Sequence, residues 1–337
     1  MWFIMDKNME ARILTKTDLQ HLQDYNNKIY PDKKIPAEDY LNFWLSRNDD
    51  AYNHCIVIID DKGEIHGQVF STEMSYYLSG KLIKSVWGFD LIVDESLRKE
   101  NWGIDLLLKY MEMFPNSCAT GIGPVALPIH KKMGSRMLGE IRKYVGLSNP
   151  LCMLSSFLRG NIKAEKFPST VTANGKIFCK LSRDEMPNLT KPYNDDLFEI
   201  ARDKNFLQWR DFNVLHSYAF YKDRQSNDYF VVRTTILKHL TVMLLVDFRC
   251  DMSNAGAFED IYLATKKVMS KLHLGMLIVG SSLKVVDDVL ERHGFKSVGR
   301  PRPVMGLVKV KEYKEIINSR EFLFTTFADS DGETNWV

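Results

Sequence analysis

Two stretches of this chain present strands and helices in the same order, and that repetition restricts its fold more than any single motif does. In the first, the apolar runs Cys55–Ile59 and Ile65–Phe70 flank Asp60-Asp-Lys-Gly63, whose Asp and Gly supply turn chemistry, so they read as a hairpin. A strand over Ser85–Val93 follows, then a helix from Trp102 to Phe114, marked by apolar residues at helical spacing. A strand near Cys118–Ile122 ends at Gly123-Pro124, where Pro suits a helix start, and Gly134 closes that short helix before a last strand at Ile141–Gly146. The second stretch repeats the order with strands at Tyr229–Thr235 and Leu240–Phe248, a helix from about Ala255 to Leu272, a strand at Gly275–Val279 and a helix from Leu283 to His293 stopped by Gly294. Val285–Phe295 thus answers Val125–Ser135, which predicts an α/β (α+β) chain made of two related halves.

Between them, Pro150, Pro168, Pro187 and Pro192 punctuate mixed polar sequence. The expected organisation is an N-terminal domain over 1–150, an extended linker over 151–196 and a C-terminal domain over 197–337, a length that accommodates two hydrophobic cores. Lys and Arg number 45 against 43 Asp and Glu, and no dense basic block occurs, which argues against a large nucleic-acid footprint. Cys55, Cys118, Cys152, Cys179 and Cys250 are scattered and lack CxxC spacing, so reduced thiols in a cytoplasm and no metal site are expected. The apolar start Met1–Lys7 is too short for a signal-peptide core, and no run approaches the roughly 18 residues of a membrane span, so a cytoplasmic protein with no membrane partner is expected.

The stretch Ile92-Val-Asp-Glu-Ser-Leu-Arg-Lys-Glu-Asn-Trp-Gly-Ile-Asp-Leu-Leu107 sets a tight loop between an apolar strand and a helix. Backbone N–H groups at a helix start have no intrahelical acceptor and lie at the positive end of the macrodipole, so such a loop is suited to a pyrophosphate. The stretch resembles the Arg/Gln-x-x-Gly-x-Gly/Ala signature of GNAT acyltransferases, with Arg98 and Gly103 in register and Asn101 in place of the first glycine. Asn tolerates unusual backbone dihedrals better than most residues. Ala126–Ser135 is similar to the family's Ala-x-x-x-Tyr-x-x-x-Gly-Phe segment, with His130 at the tyrosine position and Ser135 at that of phenylalanine.

The resemblance extends to tandem GNAT enzymes, and in particular to bacterial nucleotide-sugar N-acyltransferases of the FdhC kind. It implies two GNAT-like domains in tandem, each a mixed, mostly antiparallel twisted sheet flanked by helices. It also implies acyl-CoA as co-substrate, held by Leu91, Ile92, Val93, Arg98, Lys99, Asn101, Trp102, Gly103 and Ile104. The reaction implied is transfer of an acetyl or short 3-hydroxyacyl group, such as 3-hydroxybutanoyl, to the amine of a dTDP-linked amino-dideoxyhexose for surface polysaccharide. Backbone N–H groups near Leu91–Val93 would hold the oxyanion, and His130 would protonate the leaving thiolate, its alternative being a surface histidine of the helix. Asp90, a carboxylate inside an apolar strand, is read either as the group that orients or deprotonates the amine or as one satisfied by a neighbouring loop.

Gln68, Trp87, Trp209 and Arg210 are candidates for the acceptor site, with Trp44 and Arg47 as further lining; core packing is the alternative reading of Trp44, Arg47, Gln68, Trp87 and Trp209. The tail Thr325–Asp331 also resembles tandem GNAT segments, and its acidic residues read equally as a solvated end. The second half has no counterpart of the phosphate loop, so no second acyl-CoA is expected. Two other readings stand beside this one: a FemX-like transferase using aminoacyl-tRNA, and a non-catalytic ligand-binding module of the same fold.

Overall fold

The structure is a computed structural model that describes residues 9–33, 35–47, 49–148, 150–308 and 323–329. The opening segment Met1–Lys7 and the last two residues of Thr325–Asp331 therefore lie outside the described residues. In chain order the elements begin with β1 (Met9–Ile13), α1 (Leu19–Ile29), α2 (Ala37–Leu45), β2 (Cys55–Asp60), β3 (Ile65–Glu73), β4 (Tyr76–Leu78), β5 (Lys81–Ile83) and β6 (Val86–Val93). Then come α3 (Trp102–Met113), β7 (Asn116–Thr120), α4 (Ala126–Lys132), β8 (Arg136–Leu147), α5 (Pro150–Ser156), β9 (Thr170–Ala173), β10 (Lys176–Leu181), β11 (Phe198–Ile200), α6 (Lys204–Asp211) and β12 (Ala219–Asp223). The chain continues through β13 (Tyr229–Leu237), β14 (Leu240–Arg249), α7 (Ala255–Lys271), β15 (Met276–Ser281), α8 (Lys284–Arg292), β16 (Lys296–Ser297), β17 (Arg302–Val308) and β18 (Leu323–Phe324).

These elements form two compact units. Of the described residues, the first takes 9–74, 84–136 and 305–308, and the second takes 75–83, 137–304 and 323–329. The sheet of the first unit runs β1-β2-β3-β6-β7, antiparallel except for the parallel β6–β7 pair. Its hairpin turn forms as the sequence predicts, because Asp60 Oδ1 accepts from Lys62 N at 3.0 Å and Glu64 N at 2.8 Å while Gly63 takes φ +84°. Helix α3 lays Trp102, Leu106, Leu107, Tyr110 and Met111 on one face of this sheet, against Ile56, Ile58, Val69, Val86 and Val93. These five strand residues fall at alternate positions along β2, β3 and β6 apart from one shift in β6, as a half-buried strand requires.

The second unit has a sheet ordered β8-β15-β14-β13-β12-β10-β9, with one parallel pair, β14–β15, and a smaller sheet ordered β18-β11-β4-β5. Its core is larger, and α7 and α8 bury Phe258, Ile261, Val268, Val286 and Val289 in it. The segment read as an extended connection, 151–196, contains α5 and the β9–β10 hairpin, so it differs from that expectation. The hairpin turns at Asn174-Gly175, whose φ values of +46° and +84° are those a two-residue turn demands.

Candidate active site

The parallel ladder between β6 and β7 pairs Val86 with Ser117, Trp87 with Cys118 and Gly88 with Ala119, and its register ends there. Past that point β6 continues as Phe89–Val93, registered against β3, and Asp90, Leu91 and Ile92 are half-buried. Backbone groups of β6 that β7 no longer meets are available to another partner.

A bulge sits at the same place. Gln68 pairs with Ile92 and Phe70 with Phe89, so Asp90 and Leu91 together oppose the single residue Val69. By strict alternation Asp90 would share the face of Val86 and Gly88, which is the face of α3; a Cβ on Gly88 would lie 2.6 Å from the Tyr110 hydroxyl. The bulge, with Asp90 at φ +50°, turns the carboxylate to the other face. There Tyr30 donates to Oδ1 at 2.9 Å and Tyr40 to Oδ2 at 2.7 Å. The Lys33 ammonium lies 3.0 Å from the Tyr40 ring centroid and 4.7 Å from that of Tyr30. Asp tolerates the left-handed region better than a β-branched residue would, and a carboxylate on the α3 face would be desolvated in an apolar core. Tyr30, Lys33 and Tyr40 were missed at the sequence level. They are 60, 57 and 50 positions away in the chain, and only the strand register brings them to Asp90.

The loop after β6 is a 3-10 turn, Glu95–Glu100, pinned by buried Leu97, by Arg98 Nε donating to Val93 O at 3.2 Å and by Asp94 N donating to His66 O at 2.8 Å. Asp94 also takes Lys28 at 3.0 Å and lies 3.2 Å from His66 Nδ1. Asn101 adopts φ +66° before α3, the left-handed conformation that explains a glycine at this place in the resembling signature. Its carbonyl accepts from Ile104 N at 2.7 Å and Asp105 N at 3.1 Å, which leaves the earlier N–H groups, at Trp102 and Gly103, without an intrahelical acceptor. The Trp102 side chain belongs to the core at 6% exposure, so only its backbone can face an anion. Arg98, Lys99 and Asn101 are exposed. A Cβ on Gly103 would meet only Val93 Cγ2, at 3.7 Å.

His130 is buried in α4 and lines a cavity of ≈ 10 Å³ with Tyr110, Ser117, Cys118, Ala119 and Ser135, about enough for one water. Burial, which contradicts the surface alternative, pushes its imidazole down to about 4, so the ring is neutral at pH 7. None of the residues around His130 is one of those bonded to Asp90.

Three of the four acceptor candidates are interior, and Trp209 is half-buried. Gln68 is fully buried and bonded to Asn26 Nδ2 through its Oε1 at 3.0 Å, and Trp87 is 1% exposed, so both are interior residues of the first unit. Arg210 is buried in the second unit with Nε on the Ala328 carbonyl at 2.8 Å, and Trp209 packs edge-on against Phe206. Trp44 likewise packs into the core, 4.2 Å from the Phe89 ring. The tail is buried as well: Thr325, Thr326 and Asp329 have no exposed surface, and Asp329 pairs with Arg202 at 2.7 Å. A large polar or aromatic residue in an apolar stretch signals burial with a partner as readily as a binding site.

No protein-family model matches the chain, and no curated protein matches its sequence. Solved structures do match its fold. A GCN5-related N-acetyltransferase from Anabaena variabilis aligns with a TM-score of 0.60 at 10% identity, over 88% of this chain and 72% of that one. A probable N-acyltransferase from Enterococcus faecalis aligns at 0.57 and 14%, over 88% and 71%. N-myristoyltransferase of Saccharomyces cerevisiae, crystallised with bound myristoyl-CoA, aligns at 0.56 and 12%, over 90% and 83%. The chain therefore has the fold of the GCN5-related acyltransferases, in a mixed α/β arrangement consistent with two GNAT-like halves in tandem.

Proposed function

We propose that this protein is an acyl-CoA-dependent N-acyltransferase whose donor site is the gap between β6 and β7 together with the Glu95–Ile104 loop. The single observation that carries the reading is the conjunction of the ladder ending at Gly88–Ala119 with the left-handed Asn101 at the start of α3. A broken parallel pair offers backbone donors to a polar arm, and a helix start offers N–H groups to a pyrophosphate. Thr120 Oγ1, one residue beyond the end of the ladder, is buried with no partner among the described residues, which also favours a polar guest there.

In the reaction an acceptor amine attacks the thioester carbon, the carbonyl oxygen becomes an oxyanion held by backbone N–H groups of Leu91–Val93, and the C–S bond breaks to release thiolate. The amine proton passes to Asp90 or to water. Each Asp90 oxygen accepts one phenol and retains a second lone pair, so the carboxylate can take an amine N–H as well. With His130 at about 4, only about one ring in a thousand is protonated at pH 7. His130 thus serves as a neutral N–H donor toward sulfur rather than as an imidazolium acid.

The finer reading, an acetyl or 3-hydroxybutanoyl donor and a dTDP-linked amino sugar acceptor, rests on the sequence resemblance. Thiol release from acetyl-, 3-hydroxybutanoyl- and myristoyl-CoA with a panel of dTDP- and UDP-linked amino sugars tests both levels. Release with one acceptor, reduced by about 10²–10⁴ in Asp90→Asn, is the expected result. Silence with every donor, together with no binding of CoA by calorimetry, would sink the donor-site reading.

A further inference from the structure

The second unit carries an apolar face that the acyl-transfer reading does not use. Leu151 and Leu154 of α5 are 79% and 81% exposed, Leu158 just after it is 72% exposed, and Leu147, Phe157 and Leu237 are more than 40% exposed. Single exposed leucines are ordinary, but these belong to segments bonded into one surface. Phe157 bridges to Leu240, Leu158 N donates to His239 O at 2.9 Å, and Ser148 N donates to Gly275 O at 2.9 Å. Ser155 Oγ donates to His273 O at 3.0 Å, and Arg159 donates to Leu272 O.

The charge on these segments is one-sided. Residues 147–163, 236–240 and 266–275 carry Arg159, Lys163, Lys238, Lys266, Lys267 and Lys271 and no Asp or Glu, where the chain's overall content of 43 acids in 337 residues would place about four. All six cations are on the surface. Exposed apolar side chains among cations are what an interfacial anchor presents to acyl chains and anionic headgroups together. A second copy of the chain suits this face less well, since a two-fold contact would set the cations against one another.

We propose that this face docks the protein on an anionic lipid surface, with Leu151, Leu154, Phe157 and Leu158 entering the headgroup region. The sequence argument against a membrane partner concerned spanning segments, and among the described residues no helix is long and apolar enough to cross a membrane; docking on the surface needs none.

Co-sedimentation of the full chain with vesicles tests the proposal. Phosphatidylcholine vesicles with added phosphatidylglycerol should retain the protein, vesicles of phosphatidylcholine alone should not, and raised salt should release it. Leu154→Asp with Phe157→Asp should cut partitioning at least tenfold, and Lys238→Glu with Lys271→Glu should cut it about fivefold for each cation. These positions are exposed, Lys271 donating to Thr170 O at 3.1 Å, and unchanged melting of the lysine pair keeps the test valid where the aspartates disturb the fold. Equal retention on both vesicle types, no retention on either, or a concentration-dependent dimer abolished by Leu154→Asp would each overturn the proposal, the last by assigning the face to a second copy.

Discussion

The two halves contain a similar break in their sheets, and the chain's own residues pack beside only the second. In the first unit the parallel β6–β7 ladder stops at Gly88–Ala119, a bulge follows, and Asp90 two residues on is half-buried. In the second unit the parallel β14–β15 ladder stops at Leu245–Val279, a bulge sits at Val246, and Asp247 two residues on is fully buried. The chain itself packs beside that second break. Thr326 donates to Asp247 Oδ1 at 2.7 Å, Ser282 Oγ donates to the Leu323 carbonyl at 2.7 Å, and a Cβ on Gly280 would lie 2.5 Å from the Phe327 ring. Arg202 bonds both Asp247 and Asp329, and Tyr229 donates to Asp247 at 2.7 Å. Backbone groups freed by a parted ladder need partners; beside the second break residues 323–329 bond the Asp247 and Ser282 side chains, and at the first break the donor proposed above would take the freed groups. The absence of a phosphate loop before α7 and the side chains packed at the second break both support the proposed donor site in the first unit.

Arg202→Ala should produce the largest effect, because it leaves two carboxylates buried without their cation; a loss of about 3–5 kcal/mol in urea unfolding is expected. Asp90→Asn in the other half should cost roughly 1 kcal/mol or less while lowering turnover by about 10²–10⁴, and equal stability losses in the two variants would break the comparison. Phe327→Ala should follow at about 3 kcal/mol, from the cavity it opens beside Gly280.

His130 gives a pH dependence belonging to the first unit. Its folded-state value of about 4 lies below the ordinary 6.5, so the unfolded chain binds the proton first and stability falls as pH drops from about 6.5 toward 4. The loss should approach about 3 kcal/mol and should disappear in His130→Gln, as read from thermal melts across that range. Gly103→Glu should abolish CoA binding with stability changed by less than about 1 kcal/mol, since its Cβ meets only Val93 at an ordinary distance and Glu favours a helix over Gly. Loss of folding in that variant would remove it as evidence for the loop. At Asn101, Ala should cost about 1 kcal/mol through the left-handed backbone and Gly should be nearly neutral, as read from urea unfolding.

Much of the architecture was legible because it follows from local pattern. The helices α3 and α7 and the Gly134 and Gly294 stops stand within a residue or two of where periodicity and turn chemistry put them, and the strands around Asp60–Gly63 within three. The β9–β10 hairpin was legible too, since Asn174-Gly175 is a turn signal, but the prolines around it were given more weight. For three acceptor candidates the packing alternative is the one the structure shows. Gln68, Trp87 and Arg210 are conspicuous by residue type, and residue type does not distinguish a side chain facing a guest from one bonded inside a core.

By itself the sequence determined the mixed α/β class and the order of most strands and helices, because spacing, turns and helix starts are short-range properties. Tertiary structure alone decided that Asp90 faces Tyr30 and Tyr40, that His130 is neutral, and that residues 323–329 pack beside the second break. Each depends on strand register, burial or contacts between residues far apart in the chain, which no local pattern encodes.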